Sequence, residues 1–246
     1  MIVPLDDPSA DLSAERVGGK AAGLARLIAL ELPVPPAVAV PVEDGGAIED
    51  PEGLLTELGE PLAVRSSAPG EDARERSAAG QYESVLGVRR ADLPSMVKMV
   101  HDSASSDRVL AYQGAVGTPG EMAVLIQRQV PASRAGVAFS REPVSGDDVV
   151  VVECVFGLGD ALVSGLVSPD RYRVEPDGSV TARVGVRGGP KRLLRTLRDD
   201  EVRTVAGLAR RAEEGFGHPV DVEFCFEGAR PWLVQCRAVT ALERRR

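Results

Sequence analysis

Two strand-like segments near the C-terminal end constrain the fold of this chain more than any other feature. Residues 220–226 (VDVEFCF) and 232–236 (WLVQC) are rich in β-branched and aromatic residues, and the short connection EGAR predicts a hairpin. Alternation along the first segment places Asp221, Glu223 and Cys225 on one face of a sheet. A hairpin is antiparallel, so the pattern argues against a simple parallel βαβ array.

The rest of the chain also favours strands over helices. Helical spacing occurs at 18–32, at 92–114 and most clearly at Asp199–Phe216. Apolar strand segments are expected at 62–65, 85–88, 122–130, 136–139 and 148–155, followed by a hairpin over 172–184. Interspersed helices and late hairpins predict an α+β fold.

Composition excludes several classes of protein. A formal net charge of −8 argues against a general nucleic-acid coat and a polybasic membrane anchor. Cys154, Cys225 and Cys236 stand among apolar residues without CxxC spacing, and we expect buried free thiols rather than a disulfide framework or zinc site. The N-terminal segment lacks a basic n-region, and no stretch approaches about 18 apolar residues, so we expect a cytoplasmic protein.

Two cations stand where a chain could hold an anion. Gly18, Gly19 and Lys20 begin a predicted amphipathic helix, whose free N–H groups and dipole would favour an anion. Lysine is otherwise scarce in this arginine-rich chain, which suggests that a compact ammonium is needed there. Arg65 ends an apolar run, and its guanidinium suits phosphate oxygens. The alternatives are a solvated lysine at an ordinary helix start and an arginine–carboxylate pair.

Several other segments are ambiguous. The loop 77–84 (SAAGQYES) suits a mobile flap over a phosphate-bearing ligand, or it is an ordinary surface loop. The glycine loop 157–165 could bind phosphate or simply turn the chain. The basic run 183–198 is interpreted as a solvated surface. His101 and His218 lack the small-residue context of a phosphocarrier loop.

The C-terminal hairpin brings together oxygen ligands. Glu223 and Gln235 can lie opposite each other on one face, and a carboxylate beside an amide oxygen suits Mg²⁺. Arg237 follows Gln235 by two residues and therefore projects to the same side. The alternative is a cross-strand ion pair between Glu223 and Arg237 on a solvated face.

These segments, in this order, resemble the nucleotide-binding domain of the phosphoenolpyruvate synthase / pyruvate phosphate dikinase family, which rifampin phosphotransferases share. Seven ordered matches are far more specific than any one of them. The matching stretches are GGKAAGLARL, LAVRSSAPGED, SAAGQYESVLGV, MAVLIQRQV, AGVAFSREPVSG, VVVECVFGLGDALVSGLVSPDRYRV and VDVEFCFEGARPWLVQCRAVT.

The resemblance implies an ATP-grasp fold, in which ATP is held between two α+β lobes. It implies that Lys20 and Arg65 hold ATP phosphates and that Gly80 and Ser84 belong to the phosphate-covering loop. It also implies that Gln127 lies in the segment lining the adenine pocket.

The resemblance further implies a divalent metal, Mg²⁺ or Mn²⁺, ligated by Glu223 and Gln235. Arg237 would stabilise charge on the transferring phosphoryl group. Together with Lys20 and Arg65, it would form the catalytic set.

The expected function follows from the family and from what this sequence lacks. Family members pass phosphate through a histidine on a swivelling domain, and neither His101 nor His218 matches that motif. We therefore expect residues 1–246 to form a single ATP-grasp domain that supplies phosphoryl groups to a histidine domain on a separate chain, with ATP giving AMP and phosphate. The alternatives are a kinase or ligase acting directly on a small molecule and a non-catalytic ATP-binding regulatory subunit. Two positions depart from the family: Glu142 replaces the usual Asp or Asn, and Cys236 replaces Ser or Thr.

Overall fold

The computed structural model describes residues 2–48, 53, 56, 58–69, 84–103, 122–158, 168–185 and 194–239. The chain divides into two compact units. The first unit comprises Met1–Ala29 and Pro35–Gln129, and the second comprises Leu30–Val34 and Val130–Arg246. In the described residues, each unit contains one antiparallel sheet.

The described part of the first unit has a five-stranded sheet in the order β1-β2-β5-β3-β4. Its strands are β1 (Val3–Pro4), β2 (Ala37–Val40), β3 (Leu62–Ser67), β4 (Ser84–Val88) and β5 (Ala123–Arg128). Helices α1 (Ala14–Ala29) and α2 (Leu93–Asp102) pack against this sheet. Neighbouring strands in this sheet all run antiparallel.

Alternation along β5 assigns the two faces of this sheet. Val124 and Ile126 point into an apolar core that includes Val97 of α2. Leu125 and Gln127 lie on the opposite face, where α1 packs against β5 and β3. The five-stranded sheet is therefore covered on both faces, and Gln127 lies on the face of α1.

The described part of the second unit has a six-stranded sheet in the order β11-β10-β6-β7-β8-β9. Its strands are β6 (Arg134–Phe139), β7 (Val150–Phe156), β8 (Asp170–Val174), β9 (Val180–Arg183), β10 (Val220–Glu227) and β11 (Arg230–Ala238). Helix α3 (Asp199–Phe216) packs against β6, β7, β8 and β10. The predicted helix has the observed bounds, and the predicted hairpins are present.

Helix α3 packs on the apolar face of the six-stranded sheet. Its buried residues include Val202 and Val205, and β10 buries Val222 and Phe224 on the corresponding face. The intervening residues of β10, such as Glu223, project to the other face. Polar groups of β10 are thereby kept away from the helix-covered core.

The predicted start of the first helix coincides with a kink inside α1. A short helical segment begins at Ala14, and the predicted helix follows Gly18, whose backbone is non-helical with φ 79° and ψ 165°. A Cβ at this position would lie 1.8 Å from the carbonyl oxygen of Ser67. The glycine is therefore needed where the predicted helix starts and α1 approaches the end of β3.

The three cysteines are buried and free, as predicted. Burial raises the pKa of the Cys154 thiol to about 12, so the group is protonated at neutral pH. Cys236 is 2% exposed and lies on β11. A thiol there behaves as a small apolar side chain, which explains how it can replace Ser or Thr.

We predict opposite effects for two glycine-to-alanine substitutions. Gly18→Ala should lower the free energy of unfolding by about 3 kcal/mol or more, because it combines a positive φ with a clash against β3. Gly207→Ala in α3 should raise it by about 0.5–1 kcal/mol, because a Cβ there meets no neighbouring atom and alanine favours the helix. Chemical denaturation measures both, and equal effects would contradict the assigned role of Gly18.

Candidate functional site

Lys20 is a buried residue of the first unit, with only 8% of its surface exposed. Its Nζ donates to the backbone oxygen of Ser66 at 3.0 Å and to Ser66 Oγ at 3.3 Å. The alternative interpretation of Lys20 as a solvated lysine is therefore wrong. Its ammonium therefore lies near the end of β3, at Ser66, which is the residue that follows Arg65.

The glycines beside Lys20 do not present free N–H groups in the way that the sequence suggested. The Gly19 N–H donates to the carbonyl oxygen of Ala68 at 3.0 Å, and the Ala21 N–H donates to Ser67 Oγ at 3.1 Å. These donors attach α1 to β3. Positive charge at this place therefore comes from the Lys20 side chain.

Strand register places Arg65, Ser84 and Gln127 in the same sheet. Arg65 lies within β3, not at its terminus as expected, and it pairs with Ser84 on β4 and Leu125 on β5. Gln127 pairs with Ala63, so alternation puts Arg65 and Gln127 on one face.

Gln127 carries an unusual buried amide. The residue is 2% exposed, and its Nε2 has no hydrogen-bond partner among the described residues. A buried amide donor of this kind is costly unless a partner arrives. Gln127, which is predicted to line the adenine pocket, therefore has a buried N–H donor that could bond to an acceptor on a ligand.

Three predicted features lie wholly or largely outside the described residues. Gly80 and the rest of the predicted flap before Ser84 belong to 70–83, most of the glycine loop belongs to 159–167, and the middle of the basic run belongs to 186–193.

The second unit brings Glu223 and Gln235 together. They are directly paired across β10 and β11, as the sequence analysis proposed. The pairing depends on an irregularity, because the register shifts between Glu223 and Phe224. Phe224 pairs with Leu233, so an uninterrupted register would pair Glu223 with Val234. The bulge therefore aligns the carboxylate with the amide.

Arg237 has a different cross-strand partner from the one that the sequence suggested. It pairs with Asp221, and its Nε donates to Asp221 Oδ2 at 2.8 Å. The Asp221 side chain is 6% exposed and that of Arg237 is 22% exposed. The pair is therefore largely buried, and it does not form the solvated surface pair considered above.

Asp221 is the site residue that the sequence reasoning missed. Burial raises the pKa of its carboxyl group, an effect that the charge of Arg237 opposes. Its Oδ1 is buried without a hydrogen-bond partner among the described residues. The signal was available, because a register that pairs Glu223 with Gln235 also pairs Asp221 with Arg237.

Glu223 and Gln235 fit a divalent cation whose remaining ligands come from a bound molecule. Glu223 and Gln235 provide oxygen donors of the type that Mg²⁺ takes. The described residues contain no group of three or more His, Cys, Asp or Glu arranged to hold a metal. Such a sparse donor set is typical of Mg²⁺ that takes its other ligands from phosphates and water.

A further ion-pair network lies along the same sheet. Arg171 contacts Glu142 at 3.2 Å and Glu153 at 3.7 Å. Glu142 also accepts hydrogen bonds from the backbone N–H groups of Val144 and Ser145, which hold the pKa of its carboxyl below the usual range. The Glu142 side chain thus accepts hydrogen bonds from the turn, at a position where the family usually has Asp or Asn. It also contacts Arg171.

The two histidines have local structural contacts. His101 Nδ1 lies 3.3 Å from the carboxylate of Asp102. The Nδ1–H of His218 donates to the carbonyl oxygen of Pro219 at 3.1 Å, and its ring lies edge-on to Phe216. Neither residue belongs to the groups of site residues described above.

A cavity of about 750 Å³ lies in the second unit at the N-terminal end of α3. It is lined by none of the predicted site residues. Arg134 on its wall bonds to Glu201 and to the carbonyl oxygens of Thr196 and Gly228. We assign this arginine a structural role, because it ties α3 to the sheet.

Comparisons with a family model and with individual relatives point to the same family. A model of the family described as pyruvate phosphate dikinase, AMP/ATP-binding domain, matches residues 47–246. A probable phosphoenolpyruvate synthase of Archaeoglobus fulgidus is 33% identical over 74% of this chain and 27% of its own length. A rifampicin phosphotransferase of Streptomyces sp is 35% identical over 77% of this chain and 25% of its own length.

A more distant relative is the prodigiosin synthesizing transferase PigC of Serratia marcescens, 28% identical over 93% of this chain and 32% of its own length. The chain thus spans between a quarter and a third of the length of these relatives. Among the helices that the structure describes, none has the length and apolar character needed to cross a membrane.

The buried pair of Asp221 and Arg237 gives a testable prediction. Arg237→Met should lower the free energy of unfolding by about 3 kcal/mol, because it leaves a buried carboxylate without its cation. The double variant Asp221→Asn/Arg237→Met should recover much of this loss. Denaturant titration of the variants measures the coupling, and a single-variant loss below about 1 kcal/mol would indicate an exposed pair instead.

Proposed function

The chain belongs to the family of pyruvate phosphate dikinase AMP/ATP-binding domains, which has the α+β ATP-grasp fold, and from this premise we propose that it binds Mg-ATP and supplies phosphoryl groups to an acceptor. One observation carries the proposal above all others. Glu223 faces Gln235 across two strands, with the buried pair of Asp221 and Arg237 beside them. Oxygen ligands next to a held guanidinium suit a metal-bound polyphosphate.

The first unit supplies the phosphate and base contacts in this proposal. Lys20 and Arg65 bind ATP phosphates, and Gly80 and Ser84 belong to the loop that covers them. The orphaned Nε2 of Gln127 supports a role at the base, because ring nitrogens of a purine accept hydrogen bonds.

The second unit supplies the metal ligands. Glu223 and Gln235 would hold Mg²⁺ or Mn²⁺, and the bound cation would neutralise negative charge on the phosphates. Arg237 donates hydrogen bonds to the transferring phosphoryl group, where charge redistributes in the transition state. Asp221 orients that guanidinium through Nε.

We propose that the acceptor is a histidine outside these 246 residues. ATP, water and this histidine would yield AMP, inorganic phosphate and phosphohistidine. The relatives named as phosphoenolpyruvate synthase and rifampicin phosphotransferase support phosphotransferase activity in general. His101 and His218 are not proposed as carriers, because both make local contacts apart from the proposed site.

Replacing the carboxylate of Glu223 tests the metal assignment. Glu223→Gln should weaken the binding of ATP in the presence of Mg²⁺ by about tenfold or more, because a neutral amide is a poorer ligand than a carboxylate. Calorimetric titration with ATP, with and without Mg²⁺, measures this effect.

Glu227→Gln is the matched control for that experiment. Glu227 lies on the same strand and accepts a hydrogen bond from Trp232 Nε1 at 3.0 Å, which an amide oxygen can still accept. The control should bind Mg-ATP like the wild type. Equal affinities in wild type and Glu223→Gln would refute the metal site.

Product analysis tests the acceptor. The chain is incubated with β- and γ-labelled ATP and Mg²⁺, alone and with a purified swivelling histidine domain of a phosphoenolpyruvate synthase. We expect AMP and acid-labile label on the added domain, with no such label on His101 or His218. ADP formed only with an added small molecule would instead identify a direct kinase. ATP binding without turnover under all conditions would identify a regulatory subunit.

A further inference from the structure

Two neighbouring serines at the end of β3 have fully buried hydroxyl groups. Ser66 and Ser67 are both 0% exposed, and both contact α1. Ser66 Oγ accepts a hydrogen bond from Lys20 Nζ, whereas Ser67 Oγ accepts one from the backbone N–H of Ala21. The Ser66 hydroxyl therefore bonds to a charged side chain, whereas the Ser67 hydroxyl bonds to the backbone of α1.

Ser66 supplies two acceptors to one ammonium group. Its carbonyl oxygen lies 3.0 Å from Lys20 Nζ and its hydroxyl lies 3.3 Å away. A buried ammonium needs such partners because it has lost most of its hydration. Two acceptors on a single residue also fix the position of a side chain that has four rotatable bonds.

The position of the ammonium matters because Ser66 follows Arg65 in the same strand. Arg65 is the other cation proposed to contact phosphate. Ser66 thus attaches the Lys20 ammonium to the strand position next to Arg65. The kink at Gly18 allows this contact, since any side chain there would collide with Ser67.

We propose that Ser66 is a positioning residue that fixes the Lys20 ammonium for contact with a phosphate group. The ammonium is held before the ligand arrives, so binding does not have to order the lysine side chain. This inference rests on the proposed function, because it assumes that Lys20 contacts ATP. Ser67 has no such role, because its hydroxyl contacts only the backbone of α1 among the bonds described above.

The first experiment examines the free protein and needs no ATP. The chain has only three lysines, Lys20, Lys98 and Lys191, so the side-chain ¹H–¹⁵N spectrum of lysine-labelled protein is simple. A Lys20→Met variant assigns the Lys20 signal, and Lys98, whose side chain is 69% exposed, provides a solvated reference. Ser66→Ala should accelerate exchange of the Lys20 ammonium protons with water by about tenfold or more. Ser67→Ala is the matched control and should leave that exchange unchanged.

The second experiment measures Mg-ATP affinity by calorimetry in a double-mutant cycle. Ser66→Ala should weaken binding by about tenfold when Lys20 is present. In the Lys20→Met background the same substitution should have no further effect. Should Ser66→Ala fail to fold, Ser66→Cys replaces it, because a thiol of similar size is only a weak acceptor.

The outcomes separate this inference from the proposed function. Wild-type exchange of the Lys20 ammonium in Ser66→Ala would overturn the positioning role. So would an equal loss of affinity in both Lys20 backgrounds, which indicates a general structural effect. Undiminished Mg-ATP affinity in Lys20→Met alone would overturn the proposed role of Lys20, and this result does not depend on any Ser66 variant.

Discussion

The close approach of α1 to the end of β3 determines how the first unit is built. Gly18 lies against the carbonyl oxygen of Ser67, and only a residue without Cβ fits there. The kink directs the next turn of the helix onto β3, where the Gly19 N–H bonds to Ala68. Lys20 is buried as a consequence, and its ammonium must be hydrogen-bonded because an unpartnered buried charge is costly. Ser66 meets that requirement, so one steric constraint leads to a fixed positive charge.

The second unit also contains a buried charged group that needs a partner, but here the buried group is a carboxylate. Asp221 is buried on the face of its sheet opposite to α3, and Arg237 compensates part of its desolvation. The bulge after Glu223 sets this arrangement, since it shifts β11 by one residue relative to the turn. A shift of one residue exchanges the faces of a strand. Without the bulge, Gln235 and Arg237 would lie on the opposite face from Glu223 and Asp221.

Sequence reasoning predicted the elements better than their contacts. The apolar stripe of α3 and the alternation in β10 are local patterns, and they gave the helix and the strand faces directly. The pairing of Glu223 with Gln235 was confirmed, but turn geometry alone would have missed it because the bulge has no clear local signature. The burial of Lys20 could not be predicted, since it depends on β3, more than forty residues away in sequence. The roles of all eight proposed site residues stay predictions, and Gly80 lies outside the described residues.

The scarcity of lysine acquires a physical meaning only with the structure. Lys98 forms an exposed ion pair with Asp102 one helical turn away, an interaction that arginine could equally make. Lys20 is different, because its ammonium bonds to two oxygens of one residue in a buried position. A guanidinium is larger and planar, and its donors are fixed in a fork that suits a carboxylate or phosphate better than this pair of oxygens. Composition alone cannot distinguish Lys20 from Lys98. Of these two described lysines, burial and acceptor geometry identify Lys20 as the one that arginine cannot replace.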